Sequence, residues 1–255
     1  VEVIINSNGT LLSRAWQTKL IESGLDQFRC SIDSPNEETY AHIRGAAVLP
    51  KIKENLEGLV RTKESLRSST PLISIWCVAT KENLHEMPDL IRLADNLGVP
   101  EVYLQRLVYF SDDPQTQFGM ARDDLAIFGE AERDAEEEMI KECAALSAEL
   151  GIQFLASGGR DAINSLAAAQ AAVLAPWQGC MRPWTSAYVT ANGNCLPCCI
   201  SPFSTDDYES LIMGNLHEKP FNEIWNDPLY QKLRTDLLSE HPHKACAGCG
   251  VSWSY

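Results

Sequence analysis

Six of the nine cysteines in this 255-residue chain fall in its last third: Cys180, Cys195, Cys198, Cys199, Cys246 and Cys249. The other three, Cys30, Cys77 and Cys143, stand singly upstream. Such clustering has three chemical explanations: disulfides, a zinc site or an iron–sulfur cluster. The opening residues VEVIINSNGT lack a basic segment followed by a long apolar block, so they do not read as a secretory signal. With an odd cysteine count as well, a disulfide framework is disfavoured, and reduced thiols are the ones used for metals or catalysis. Cys195-x-x-Cys198 and Cys246-x-x-Cys249 are two knuckles of the kind that aims a pair of thiolates at one tetrahedral zinc. An iron–sulfur cluster instead asks for four thiolates in mostly apolar surroundings. Trp184, Pro197, Ile200, Phe203 and Trp225 are the residues expected to supply that shell. Spacing alone leaves zinc and a cluster both open.

Charge narrows the partners. The formal net charge is −14, which opposes binding to a phosphate backbone. Residues 121–150 hold ten Asp and Glu against three Lys and Arg, the composition of a solvated helix face. No 18-residue apolar stretch occurs, so no membrane-spanning helix is expected. A cytoplasmic location follows as the expectation.

Upstream of the cysteine-rich third, apolar runs alternate with helical periodicity. Strands are expected at Val1–Ile5, Phe28–Asp33, Leu72–Ala79, Glu101–Val108 and Gly151–Ala156. Helices are expected from Thr10 or Ser13 to Ser23, with Leu11, Leu12, Trp16 and Leu20 on one face, and from Val48 to Leu66, from Asn83 to Leu97, from Asp123 to Leu150 and from Asp161 to Leu174. Ile43-Arg44-Gly45 reads as part of a loop, and Trp76 and Tyr103 read as core. Strands that are apolar on both faces and separated by helices signal parallel βα units, in a barrel or an open sheet. After about residue 178 the composition turns to Cys, Pro, Gly, Asn and Trp. There a hairpin around Ala191-Asn192-Gly193 and short helices at Phe221–Trp225 and Leu229–Leu238 are expected.

The cysteine-rich third resembles the SPASM domain, the auxiliary iron–sulfur module at the C-terminus of many radical S-adenosylmethionine (SAM) enzymes. Cys180, Gly193 and Cys198 match that family's Cys…Gly-x4-Cys pattern. CMRPW, VTANGNCLPCC, Met213-Gly214-Asn215-Leu216 and Phe221-Asn222-Glu223-Ile224-Trp225-Asn226 stand around it, and Cys246 and Cys249 close it. The resemblance implies a 4Fe–4S cluster held by Cys180, Cys198, Cys246 and Cys249. Cys199 is the alternative to Cys198, and His243 a lesser alternative ligand beside Cys246. Cys195 has no family role and reads as a small hairpin residue. The family pattern continues with a further cysteine at the position of Tyr255, so one auxiliary cluster is expected rather than two.

The first two-thirds resembles the later part of a radical SAM barrel. Ser7-Asn8-Gly9 is similar to the family's T-N-G, Ser31-Ile32-Asp33-Ser34 to its S-I-D-G, and Ile43-Arg44-Gly45 to its I-R-G. The implied fold class is α/β: the C-terminal part of a partial (β/α)6 radical SAM barrel, then a small cysteine-rich α+β SPASM domain. The implied organisation is barrel strands three to six in residues 1–110, a helical and linker segment in 111–178, and the iron–sulfur domain in 179–255. Ser31, Arg44 and Asn8 are the implied SAM contacts. No CxxxCxxC spacing, which holds the SAM-cleaving cluster in that family, occurs in the chain. The expectation is therefore a chain trimmed upstream and inactive by itself. Its intact parent would bind SAM and a second 4Fe–4S cluster, generate a 5′-deoxyadenosyl radical, and modify a peptide, a protein or a sugar-like small molecule. Its electrons would come from a donor such as flavodoxin or ferredoxin. No catalytic residue is assigned. A non-catalytic electron-transfer module and a zinc-ribbon-tailed binding protein are the rival readings.

Overall fold

The computed structural model describes residues 2–107, 125, 127, 130–156, 177, 180–203 and 207–247. They fall into two compact units. The first is built on a parallel five-stranded sheet: β1 (Ile4–Ser7), β2 (Gln27–Ser31), β3 (Leu72–Ala79), β4 (Glu101–Arg106) and β5 (Gln153–Ala156). The spatial order is the chain order, β1-β2-β3-β4-β5. Each crossover between parallel neighbours is right-handed by the twist of the strands, so sequential order puts every connecting helix on the same face, as in a barrel. Strand β5 lies in the segment 111–178 and pairs with β4, Val102 opposite Phe154.

The connections are α1 (Arg14–Glu22), α2 (Glu37–Arg44), α3 (Leu49–Ser65), α4 (Met87–Asn96) and α5 (Glu130–Leu150). The core lies between them and one face of the sheet, where Phe28, Cys30, Ile73, Ile75, Cys77, Val102 and Leu104 meet Ile52, Leu56, Leu90, Ile91 and Ile140. Cys30, Cys77 and Cys143 are part of that core. Burial pushes the Cys30 and Cys143 thiols up to about 12 and the Cys77 thiol well above its usual value, so all three stay protonated and inert.

Three expectations are corrected here. Residues 37–44 form a helix rather than a loop: Asn36 accepts from the Glu38 and Thr39 N–H groups, and Gly45 closes it in the left-handed conformation. Of the face expected around α1, Leu12 is buried and Leu20 packs against the core, but Leu11 is 85% exposed and Trp16 54%, and the buried positions within α1 are Gln17 and Ile21. Gln17 takes a core position because its amide donates to the Leu12 and Asn55 carbonyls at 3.0 and 3.1 Å. Trp76 and Tyr103 lie outside the helix-covered core. They stack on each other (centroids 3.9 Å, planes 9° apart) on the opposite face of the sheet. Arg29 lies 4.1 Å over the Trp76 ring. On the same face Trp76 donates to Ser74, whose hydroxyl meets the buried Glu101 carboxyl.

The second unit holds an antiparallel sheet of β6 (Tyr188–Val189), β7 (Asn194–Leu196) and β8 (Gly214–Asn215), in that order. Around it lie α6 (Arg182–Thr185), α7 (Phe221–Trp225), α8 (Pro228–Leu237) and α9 (Lys244–Ala247). Cys195, Leu196, Leu211, Met213, Ile224, Tyr230, Leu233 and Leu237 form its core. The helix expected at 161–174 lies outside the described residues. Among the described residues no helix is long and apolar enough to cross a membrane.

Candidate metal centre

The centre is assembled from three separated pieces of the second unit. Cys180 precedes α6, and its N–H donates to the Trp177 carbonyl. Cys198 follows β7. Cys246 sits in α9, where its N–H donates to the His243 carbonyl. All three line one cavity whose other walls include Trp177, Pro183, Pro197, Ile200, Leu211, Leu233 and Leu237. Of the expected apolar shell, Pro197 and Ile200 line the cavity. Trp184 and Trp225 pack against the adjoining core instead, and the Phe203 side chain lies outside the described residues. Cys249 also lies outside them.

Local packing fixes these positions. Gly214 in β8 has φ +155°, and a Cβ there would meet Ile224 Cγ1 at 2.9 Å. The Gly-Asn-Leu and Glu-Ile-Trp-Asn blocks are thus two halves of one contact. Asn215 donates to the Asn192 carbonyl (3.0 Å) and to Asn194 Oδ1 (2.8 Å), pinning the turn that contains Gly193. Trp177, whose carbonyl holds the Cys180 N–H, donates through Nε1 to the Ser239 carbonyl at 3.2 Å, just beyond the end of α8.

The neighbouring cysteines behave differently. Cys199 is exposed and accepts from Arg182 Nη1 at 3.3 Å. Cys198 faces the buried Ser201, with Sγ and Oγ 3.1 Å apart. Cys195 in β7 is a hairpin residue as expected, opposite Val189, and it is fully buried in the core. Burial raises the Cys180 pKa, and the Arg182 N–H offsets part of that rise. His243 spends both ring nitrogens inside the fold: Nδ1 accepts from the Ala245 N–H (3.2 Å) and Nε2 lies 3.0 Å from Ser210 Oγ. Among the described residues no three Cys, His, Asp or Glu side chains gather around a single ion.

This donor set fits a cluster. Three thiols line one cavity whose other walls are mostly apolar, with Arg182 and Ser201 the polar exceptions, a setting suited to iron–sulfur ligation. Sequence reasoning missed one feature, the buried Arg234 of α8. It is 7% exposed and lies over the Trp225 and Tyr230 rings, at 4.4 and 4.3 Å. An arginine at the outward-reading end of a short helix carries no sequence mark of burial.

Of the three residues implied as SAM contacts, Asn8 and Ser31 lie at the C-terminal ends of β1 and β2, where barrels form their ligand sites, and Arg44 ends helix α2. Asn8 is exposed and spends its Oδ1 on the Thr10 N–H (3.1 Å) and hydroxyl (2.8 Å). The following Gly9 has φ +71°, and a Cβ there would meet Cys30 Sγ at 3.0 Å. Ser31 ends β2 opposite Trp76. Arg44 Nε pairs with Asp33 Oδ2 at 2.5 Å. The buried Asp33 also accepts from the Val78 N–H at 2.9 Å, bridging the ends of β2 and β3.

The comparisons with known proteins agree with this anatomy. The SPASM iron–sulfur cluster-binding domain family matches residues 180–250. The AdoMet-dependent heme synthase of Methanosarcina barkeri is 26% identical over 98% of this chain and 69% of its own length. A tungsten-containing aldehyde ferredoxin oxidoreductase cofactor-modifying protein of Pyrococcus furiosus is 34% identical over 41% of this chain and 29% of its own. In fold, the chain is similar to Streptococcus suis SuiB bound to S-adenosylmethionine (TM-score 0.66, 14% identity, 100% of this chain and 54% of that one). It is also similar to anSMEcpe with bound AdoMet and a peptide (TM-score 0.59, 12% identity, 99% of this chain and 64% of that one). The chain thus spans little more than half the length of the solved structures it matches. The SPASM match over residues 180–250 covers the cysteine-lined cavity, and the parallel sheet upstream belongs to a chain that shares the fold of the S-adenosylmethionine-bound structures.

Proposed function

We propose that this chain supplies the auxiliary-cluster domain and part of the barrel of a radical SAM enzyme, with Cys180, Cys198, Cys246 and Cys249 holding one 4Fe–4S cluster. The observation that carries this reading is the apolar cavity shared by Cys180, Cys198 and Cys246. A single zinc at about 2.3 Å from each sulfur draws its thiolates to within about 4 Å of one another. A four-iron cluster spreads them around a larger core. When bound, it supplies an electron acceptor or relay beside the substrate, or a binding point for it. The protein's part is to keep water from the site and to hold each Sγ at its corner.

In the barrel, Ser31 and Asn8 are the proposed SAM contacts. Arg44 would serve by sharing its guanidinium between Asp33 and the SAM carboxylate, a charge-assisted pair. The chain has no CxxxCxxC, so reduction of SAM to a 5′-deoxyadenosyl radical is assigned to residues outside these 255. The substrate is a peptide or a small molecule. SuiB has been solved with its precursor peptide, and the Methanosarcina barkeri relative is named for heme synthesis. A flavodoxin or ferredoxin donor and a cytoplasmic setting complete the proposal. Anaerobic reconstitution with iron and sulfide, followed by a UV–visible spectrum, tests it. A broad charge-transfer band in the near-visible is expected, and a colourless protein holding one zinc would overturn it.

A further inference from the structure

Arg234 is a buried cation without a counter-ion among the described residues. Its Nε donates to the Pro183 carbonyl and its Nη1 to the Trp225 carbonyl, both at 2.9 Å. Its Nη2 is buried and makes no hydrogen bond, as is the hydroxyl of the adjacent Tyr230. The ion pairs described in this unit engage other residues: Lys219 with Asp227, Lys232 with Asp236, and Lys244 with Asp207. Aromatic faces and carbonyls offer only partial charge. A desolvated guanidinium with an unused donor is costly unless an anion stands close by.

The position of Arg234 says which anion. Pro183, whose carbonyl it holds, and Leu233, its neighbour in α8, both line the cysteine cavity. The guanidinium thus braces the backbone of Pro183 in the cavity wall, in buried surroundings where charge acts over distance. A 4Fe–4S core with four thiolates is a dianion when oxidised and a trianion once one electron is added. A fixed positive charge beside it stabilises the second state more than the first.

We propose that Arg234 is the counter-charge of the auxiliary cluster and raises its reduction potential. This inference rests on the cluster reading above. It makes Arg234 a positioning and tuning residue, acting through the field it sets and through the α6 backbone that it fixes. The test is a dithionite titration of the reconstituted chain followed by EPR, for wild type, Arg234→Gln and Arg234→Lys. Arg234→Gln is expected to lower the reduction equilibrium constant at least tenfold, which is 59 mV for a one-electron couple. Arg234→Lys is expected to keep most of the potential. Equal potentials in wild type and Arg234→Gln would overturn the inference, as would an equal shift in both variants. If Arg234→Gln does not retain iron, retention in Arg234→Lys supports the charge assignment and loss from both overturns it. A wild-type chain that forms no iron–sulfur signal is instead the failure of the cluster reading itself.

Discussion

At the scale of single residues, the chain separates its cysteines by surroundings. Adjacent Cys198 and Cys199 cannot be told apart by spacing. In the fold one lines the apolar cavity and the other is exposed beside Arg182. Cys198→Ser is therefore expected to lose cluster retention while Cys199→Ser keeps it, as read by the iron content of reconstituted protein. Glu101 gives a second residue-scale expectation. Its burial pushes the carboxyl pKa up, against the opposing effects of Arg29 and the Ser74 hydroxyl. A raised folded-state pKa means that the folded form holds the proton more tightly than the unfolded one. That stabilisation is present at low pH and is lost as the pH rises through the folded pKa. Glu101→Gln should thus raise the unfolding midpoint at pH 7, with the gain shrinking to nothing in acid. A thermal-denaturation series across pH checks it, and a midpoint that falls at pH 7 would show that the carboxylate is stabilising.

At the scale of elements, legibility followed periodicity. Continuous apolar runs such as LISIWCVA announced β3, and regular spacing of Ile52, Leu56 and Leu59 announced α3. Helix α2 escaped because its eight residues, EETYAHIR, bury only Tyr40, too little to set up a helical stripe. Its signals were the terminal ones, Asn36 and Gly45. Trp76 and Tyr103 were misplaced because an all-apolar strand does not say which of its two faces the helices cover. The short elements of the second unit were legible by motif rather than by pattern. Their packing explains why the motif residues are what they are: Gly214 exists to make room for Ile224. Gly214→Ala is expected to destabilise this unit by about 1–3 kcal/mol through overpacking, measured by denaturant titration. A neutral effect would show that Ile224 shifts freely.

At the scale of the whole molecule, two units carry two different chemistries. The first is a singly wound parallel sheet with one face buried under helices and a half-open face bearing Arg29, Trp76, Tyr103 and Glu101. The second is a small three-stranded module whose core is shared between hydrophobic packing and the cysteine cavity. The sequence made the cysteine spacing plain but left zinc and a cluster both open. The apolar cavity and an Arg234 that has no counter-ion among the described residues are three-dimensional features that no spacing encodes. The central claim is that Cys180 and its partners hold a 4Fe–4S cluster. Iron and acid-labile sulfide analysis combined with Mössbauer spectroscopy tests it most directly, applied to the wild-type chain, Cys180→Ala and Cys143→Ala after anaerobic reconstitution. About four iron and four sulfide per chain with a cubane spectrum are predicted for wild type and Cys143→Ala, and loss of both for Cys180→Ala. Equal iron retention in Cys180→Ala and Cys143→Ala, or zinc in place of iron in the wild type, would contradict it.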